Sequence, residues 1–295
     1  MADLMKQSMT KESHESRVQH LSEALPYIQK FTNKIFVIKY GGSALTDIKI
    51  AQSVIKDLVL LNSVNIKTVL VHGGGPEINQ MLDKIGKEVC FENGLRKTDK
   101  ETLEVVEMVL SGKIQRRLVS LINCTGAKAI GLNGRDGRIV IAERLKGAAV
   151  DNMVGQVKEL NLDLIHQLFA LDLIPVISSI APNEAGEAFN INADTLCAEI
   201  AAELKAEKMI LMTDVPGLLE DVTKPESVIN ELTVKEAQAK IDKKEVSGGM
   251  IPKLECCING INKGVCEAII LNGLTDHSLL IETFTDIGSG TRISS

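Results

Sequence analysis

From residue 34 onward, short apolar runs alternate with longer segments of helical periodicity. Lys34–Lys39 reads as a strand, closed by Tyr40-Gly41-Gly42-Ser43, and Asp47–Leu61 carries its apolar residues at helical spacing. Lys67–Val71 is a second strand, stopped by His72-Gly73-Gly74-Gly75-Pro76, and Glu77–Ile85 is helical. Thr98 with Glu101 predicts a capping box before Leu103, Val106 and Leu110, and Gly112 is expected to follow that helix. Residues 128–160 read as short strands and turns, Leu162–Leu171 as a helix and Ile174–Ser178 as a strand. The alternation continues with helix Ala193–Leu204, strand Lys208–Met212, helix Thr233–Ile241, helix Ile251–Asn262 and strand Ala268–Leu271. Strand–helix alternation predicts an α/β protein with a largely parallel sheet covered on both faces.

Two features precede or divide that pattern. Residues 1–15 are polar and read as a frayed end. Residues 16–30 place Val18, Leu21, Leu25 and Ile28 on one stripe, with Pro26 inside it, which predicts a kinked amphipathic helix. That stripe needs a cover, and its own domain is slightly favoured over a neighbouring subunit. A lobe boundary is expected near residue 195, which divides the chain into residues 1–30, 31–194 and 195–295.

Composition narrows the chemistry. The 295 residues are 44% hydrophobic, enough for a substantial core, and no run approaches the ~20 apolar residues of a membrane span. Aromatic residues make up 3% and the formal charge is -6, which argues against nucleic acid as a partner. The first thirty residues lack an apolar signal core and carry acidic residues, so a cytoplasmic protein is expected. Cys90, Cys124, Cys197, Cys256, Cys257 and Cys266 form no zinc spacing and read as reduced, mostly buried thiols.

Glycine-rich breaks at strand ends carry the functional signal. Lys39-Tyr40-Gly41-Gly42, His72–Pro76 and Thr213-Asp214-Val215-Pro216-Gly217 each follow a strand, where open α/β sheets bind ligands. One such break alone is better read as a tight turn; three together favour an anionic ligand held by backbone N–H groups. There is no Walker P-loop, no GxGxxG between strand and helix, and no protein-kinase signature. Lys39 at a strand's carboxyl end is a candidate phosphate ligand. Lys253, in Ser247-Gly248-Gly249-Met250-Ile251-Pro252-Lys253, sits at a helix start where the dipole disfavours a cation, so it is a second candidate. In Asn190-Ile191-Asn192-Ala193-Asp194, Asn192 suits an N-cap. Asp194 fits either first-turn capping chemistry or a carboxylate holding one or both lysines.

Together with Asn93-Gly94-Leu95-Arg96, these stretches resemble the amino acid kinase family, from about residue 18 to the C-terminus, and within it the branch that phosphorylates N-acetyl-L-glutamate. The resemblance implies an open αβα sandwich of two lobes, the first for N-acetyl-L-glutamate and dimerisation, the second for ATP. Lys39, Lys253 and Asp194 match its catalytic groups. Gly74, Gly75, Arg96 and Asn190 match acyl-substrate contacts. Lys39, Gly41, Gly42, Thr213, Asp214, Leu219, Gly248, Met250 and Lys253 match the nucleotide site. No dedicated metal cage is implied; Mg²⁺ is expected to arrive on the phosphates of ATP.

The N-terminal helix, and His277–Glu282 followed by Gly288-Ser289-Gly290-Thr291, resemble the arginine-inhibited subgroup. That likeness implies a homohexamer built as a trimer of dimers, and an L-arginine site at Lys208, Glu282, Gly288 and Gly290. Glu282 also fits a plain solvated surface charge. Lys205 departs from the subgroup, which usually has Gly there. The sequence is most similar to cyanobacterial and plastid members, which brings a PII signal protein into view as a partner and a plastid stroma as the other compartment. The competing readings are a kinase for another small acid, such as carbamate, aspartate or uridylate, and a non-catalytic amino-acid-binding regulator.

Overall fold

The computed structural model describes residues 11–295 apart from Thr46, Asn93 and Ile287. The expected frayed end lies mostly outside the described residues, but helix α1 (Lys11–Phe31) already begins at Lys11 and contains Pro26.

Eight strands form the main sheet in the order β12-β14-β13-β11-β1-β2-β8-β5. They are β1 (Ile35–Tyr40), β2 (Lys67–His72), β5 (Ala129–Leu132), β8 (Ile174–Ser178), β11 (Lys208–Thr213), β12 (Glu231–Thr233), β13 (Glu267–Asn272) and β14 (Gly290–Ser294). Every neighbouring pair is parallel except β13 with β14. All residues of β8 and β11 are buried, so both pleat faces are covered, as a parallel sheet requires. The expected largely parallel α/β sandwich is the observed fold.

Helix α2 (Ile48–Ser63) packs against α5 (Gln115–Cys124), α10 (Ser278–Phe284) and β2. Helix α7 (Ala193–Glu203) packs on β1, β2 and β11, beside α9 (Met250–Asn262). Helices α3 (Gly75–Lys84), α4 (Lys100–Glu107), α6 (Asp163–Ala170) and α8 (Val234–Asp242) complete the set. A second sheet, β6-β7-β10-β9, joins β6 (Val140–Arg144), β7 (Val154–Leu160), β9 (Ile180–Pro182) and β10 (Ala188–Ile191). A small hairpin joins β3 (Phe91–Glu92) to β4 (Leu95–Arg96).

The chain places β2, β8 and β5 on one side of β1, then returns to lay β11 on its other side. This reversal makes the carboxyl ends of β1, β2 and β11 a topological switch point, where a crevice opens. The expected boundary near residue 195 falls in the first turn of α7.

Several local expectations fail for physical reasons. Thr98 does not form a capping box: its hydroxyl donates to the Arg96 carbonyl, and Asp99 caps α4 by accepting from Thr102 N–H at 2.8 Å. Gly112 ends no helix; a π-helical segment, Met108–Ile114, carries the chain straight into α5. The thiols are not mostly buried, since Cys90, Cys124 and Cys266 are exposed. Among the described residues, three of the four stripe positions on α1 stay uncovered, with Val18 63% exposed, Leu21 72% and Leu25 51%, while Ile28 is half-buried.

Candidate functional site

Strand β1 runs one residue beyond expectation, to Tyr40, which makes Lys39 its penultimate residue. Across the crevice, Asn192 caps α7 through its side-chain oxygen, which accepts from Asp194 N–H at 2.9 Å and Thr195 N–H at 3.1 Å. Because Asn192 does the capping, the Asp194 carboxylate is free to turn elsewhere, and it meets both lysines. Lys253 Nζ, from the first turn of α9, donates to Asp194 Oδ2 at 2.7 Å. Lys39 Nζ lies 2.9 Å from Oδ1.

Burial pushes the Asp194 carboxyl's pKa up, but the Lys39 and Lys253 ammoniums outweigh it and hold the pKa down at about 2. Both cations thus keep a permanent counter-charge. Gly41 gives the Lys39 ammonium room, since a Cβ there would lie 3.0 Å from Lys39 Cε and Nζ.

Two cavities flank this triad. The first, about 430 Å³, is lined by Thr213, Asp214, Leu219, Gly249, Met250 and Lys253. Of the residues expected to hold a nucleotide, Gly248 lies just beside this lining, while Gly41 and Gly42 follow β1 next to Lys39. Val215, Leu218 and Val246, which sequence reasoning did not single out, supply further apolar wall.

The second cavity, about 390 Å³, brings together Gly74, Gly75, Arg96 and Asn190, and reaches Asn192 and Ala193 beside the triad. Arg96 is 8% exposed, and its Nη2 donates to the Gly75 carbonyl at 3.3 Å and to Asn79 Oδ1. Among the described residues its Nη1 is buried with no hydrogen-bond partner. A buried cationic donor is costly without an acceptor, and an anion would supply one. Phe91 lies 4.9 Å beneath the guanidinium. Asn93 lies outside the described residues. Asn190 donates to Thr98 Oγ1 at 3.3 Å.

Gly74 is demanded by packing, not by torsion: a Cβ there would sit 2.2 Å from Ile114 Cδ1. His72, before it, is buried and its pKa falls to about 4, so it stays neutral near pH 7. Asn79, Phe91, Leu110 and Ser179 also line this cavity and went unnoticed in the sequence. Asn79 had a signal, since it stands one helical turn after Gly75.

A third cavity, about 420 Å³, gathers Lys208, Glu282, Gly288 and Gly290 with Tyr27, Glu231, Glu267 and Asp286. Glu282 is not a solvated charge: it is 7% exposed, accepts from Ser289 N–H at 2.9 Å and lies 3.7 Å from Lys208 Nζ. Lys208 also pairs with Glu267 at 3.1 Å. Gly288 has φ +68°, and a side chain there would meet Glu282 Oε2 at 2.7 Å. Tyr27 of α1 donates to Asp286, which ties the N-terminal helix to the rim.

The crevice, the paired lysines and the glycine turns agree with a wider comparison, in which residues 34–272 match the amino acid kinase family. The chain belongs to this family. It is 48% identical over 283 residues to an acetylglutamate kinase of Nostoc sp., covering 96% of this chain and 95% of that one. It is 50% identical over 282 residues to the acetylglutamate kinase of Trichodesmium erythraeum, with 96% of each covered. Among solved structures, the N-acetylglutamate synthase of Neisseria gonorrhoeae, complexed with coenzyme A and N-acetyl-glutamate, superposes with a TM-score of 0.83 at 23% identity. That match covers 94% of this chain, which spans 63% of the synthase. A Giardia lamblia carbamate kinase bound to AMP-PNP superposes at 0.65 with 16% identity, covering 89% and 99%. At those identities the superpositions establish the shared amino acid kinase fold.

Proposed function

We propose that this chain transfers the γ-phosphoryl group of ATP to the side-chain carboxylate of N-acetyl-L-glutamate, giving N-acetyl-L-glutamyl 5-phosphate and ADP. The observation that carries this reading is one half-buried carboxylate, Asp194, gripping Lys39 and Lys253 between two cavities. Relatives named acetylglutamate kinase, similar over nearly the whole chain, support the same reading.

The chemistry suits these residues. The acceptor carboxylate, with a pKa of about 4.3, is ionised at neutrality, so no general base is needed. Its oxygen forms the new bond to the γ-phosphorus as the bond to the β–γ bridging oxygen breaks. Repulsion between the two anions is the barrier. Lys39 and Lys253 lower it by donating to the transferring group, with Asp194 holding their orientation. Arg96 receives the substrate's other carboxylate on Nη1, which has no partner among the described residues, as a charge-assisted hydrogen bond. Among the described residues no cluster of three acidic, His or Cys side chains is suited to grip an ion. Mg²⁺ would arrive on the nucleotide's own phosphate oxygens and add charge neutralisation there.

The test is ADP release with and without N-acetyl-L-glutamate, beside a panel of carbamate, aspartate and uridylate. Turnover confined to acetylglutamate is expected, and Lys39→Ala should lower kcat by ~10²–10³-fold while ATP still binds. Turnover of another panel member alone, or none at all, would give the reading to the rival kinase or to a non-catalytic regulator.

A second reading concerns the third cavity. Glu282, Glu267, Glu231 and Asp286 offer carboxylates to a guanidinium, and Lys208 offers a cation to a carboxylate, so free L-arginine fits as an inhibitor. Tyr27 and Phe31 bring the end of α1 into that lining. The uncovered stripe on α1 supports its pairing with the same helix of another protomer in a hexamer. A PII signal protein as partner rests on the branch resemblance alone.

A further inference from the structure

The turn after β1 is held from outside its own sequence. Fully buried Tyr40 donates its hydroxyl to the Ala44 carbonyl at 2.6 Å. One residue on, the Leu45 carbonyl accepts a 2.8 Å hydrogen bond from Nη2 of Arg117, in α5. The same nitrogen donates to Glu77 Oε1 at 2.7 Å. Glu77 lies in the first turn of α3, is 4% exposed, and has its other oxygen 3.3 Å from Lys113 Nζ. One guanidinium nitrogen therefore joins the Gly42–Leu45 turn to the start of α3. Those two segments follow neighbouring strands, whose last residues Tyr40 and His72 are paired in register.

The π-helical segment aims this nitrogen. It sets Leu110 and Ile114 against Gly74, and Lys113 and Arg117 against Glu77. A π turn inserts one residue into an α-helix, so restoring α geometry would swing Arg117 by about 100° around the axis. Glu77 has no role in the chemistry above; its carboxylate is buried, while the Arg117 side chain that reaches it is 35% exposed.

We propose that Arg117 is a positioning residue for phosphoryl transfer: it fixes the separation between the glycine turn on the phosphate side and the glycine turn on the acyl side. The proposal rests on the phosphoryl-transfer reading above. Two anions brought together push apart, and that force falls on the turns that hold them. Each reactant by itself is bound by its own turn, so the clamp matters little to either KM. It matters when both must reach bonding distance, where an error near 1 Å costs ~10²-fold in rate.

Arg117→Gln and Arg117→Lys, assayed with both substrates varied and by amide hydrogen exchange without substrate, test this. Arg117→Gln should lower kcat by ~10–100-fold with both KM values within about threefold, and speed exchange over Gly42–Leu45. Arg117→Lys keeps a cation beside Glu77 but lacks the planar fork, so it should restore the melting temperature while kcat stays at least ~10-fold low. A kcat within about twofold of wild type in either variant overturns the proposal, as does a loss confined to KM. Unchanged exchange over Gly42–Leu45 in a folded variant also overturns it. A wild-type protein that phosphorylates no acetylglutamate removes the functional reading instead, and leaves the exchange result to judge the clamp.

Discussion

Replacing Asp194 by Asn removes one charge and almost no volume from the centre of the site. The native carboxyl titrates at about 2 against an ordinary 3.8, because Lys39 and Lys253 lie 2.9 and 2.7 Å away. At 1.36 kcal/mol per pKa unit, that lowering corresponds to about 2 kcal/mol of stabilisation of the folded state at neutral pH. The Asp194 side chain is 15% exposed, so water screens little of it. The sign follows from the lowered value: the stabilisation is complete above roughly pH 4 and disappears as pH falls towards 2. Asp194→Asn should therefore lower the melting temperature at pH 7 by roughly 3–4 °C, and the gap between variant and wild type should close in acid. The capping bonds of α7 belong to Asn192, so the fold should survive. The two ammoniums lose their common anchor, and kcat should fall by ~10²–10³-fold with ATP binding retained. Thermal melts from pH 7 to 3, calorimetric ATP titration and a coupled ADP assay measure the three quantities. Equal melting temperatures at pH 7 together with turnover within threefold of wild type would refute the reasoning, leaving Asp194 an ordinary first-turn charge.

Other outcomes follow from single contacts. Arg96→Ala removes the free Nη1 and should raise the KM for acetylglutamate by roughly 10- to 100-fold, the value of about 1.5–3 kcal/mol for a charged hydrogen bond, with kcat little changed; an unaltered KM would place the substrate elsewhere. Lys205 sits at φ +48° just past α7, so Lys205→Gly should raise the urea midpoint by the equivalent of about 0.5–1 kcal/mol, and a lowered midpoint would contradict the left-handed assignment. Deleting residues 1–30 should give dimers that still phosphorylate acetylglutamate but have lost most arginine inhibition, whereas Glu282→Ala should keep the hexamer and also blunt inhibition. Light scattering beside an arginine titration checks both, and a truncated protein that stays hexameric removes the α1 interface.

The sequence by itself determined the central strands β1, β2, β8, β11 and β13, most helices and the glycine-rich turns that follow β1, β2 and β11, but neither β12 nor β14 of the main sheet. Buried parallel strands must be continuous apolar runs, and tight turns after them must be glycine-rich, so both leave local signatures at β1, β2 and β11. Lys39 and Lys253 were visible because each breaks a local rule, a cation ending an apolar strand and a cation at a helix start. What Asp194 does was undecidable from the chain, because capping and ion pairing ask for the same residue; only the position of Asn192's oxygen freed it. The tertiary structure alone decided the π segment, which no periodicity announces and beside which Arg117 meets Glu77 and Leu110 meets Gly74. It moved the cap from Thr98 to Asp99, because the Thr98 hydroxyl was already spent on Arg96. It buried Glu282 and left Val18, Leu21 and Leu25 bare. Local propensity reads what a residue's own neighbours in sequence require, whereas burial is set by which distant segments arrive, 72 residues away for the Leu45–Arg117 bond and 59 for Asp194–Lys253.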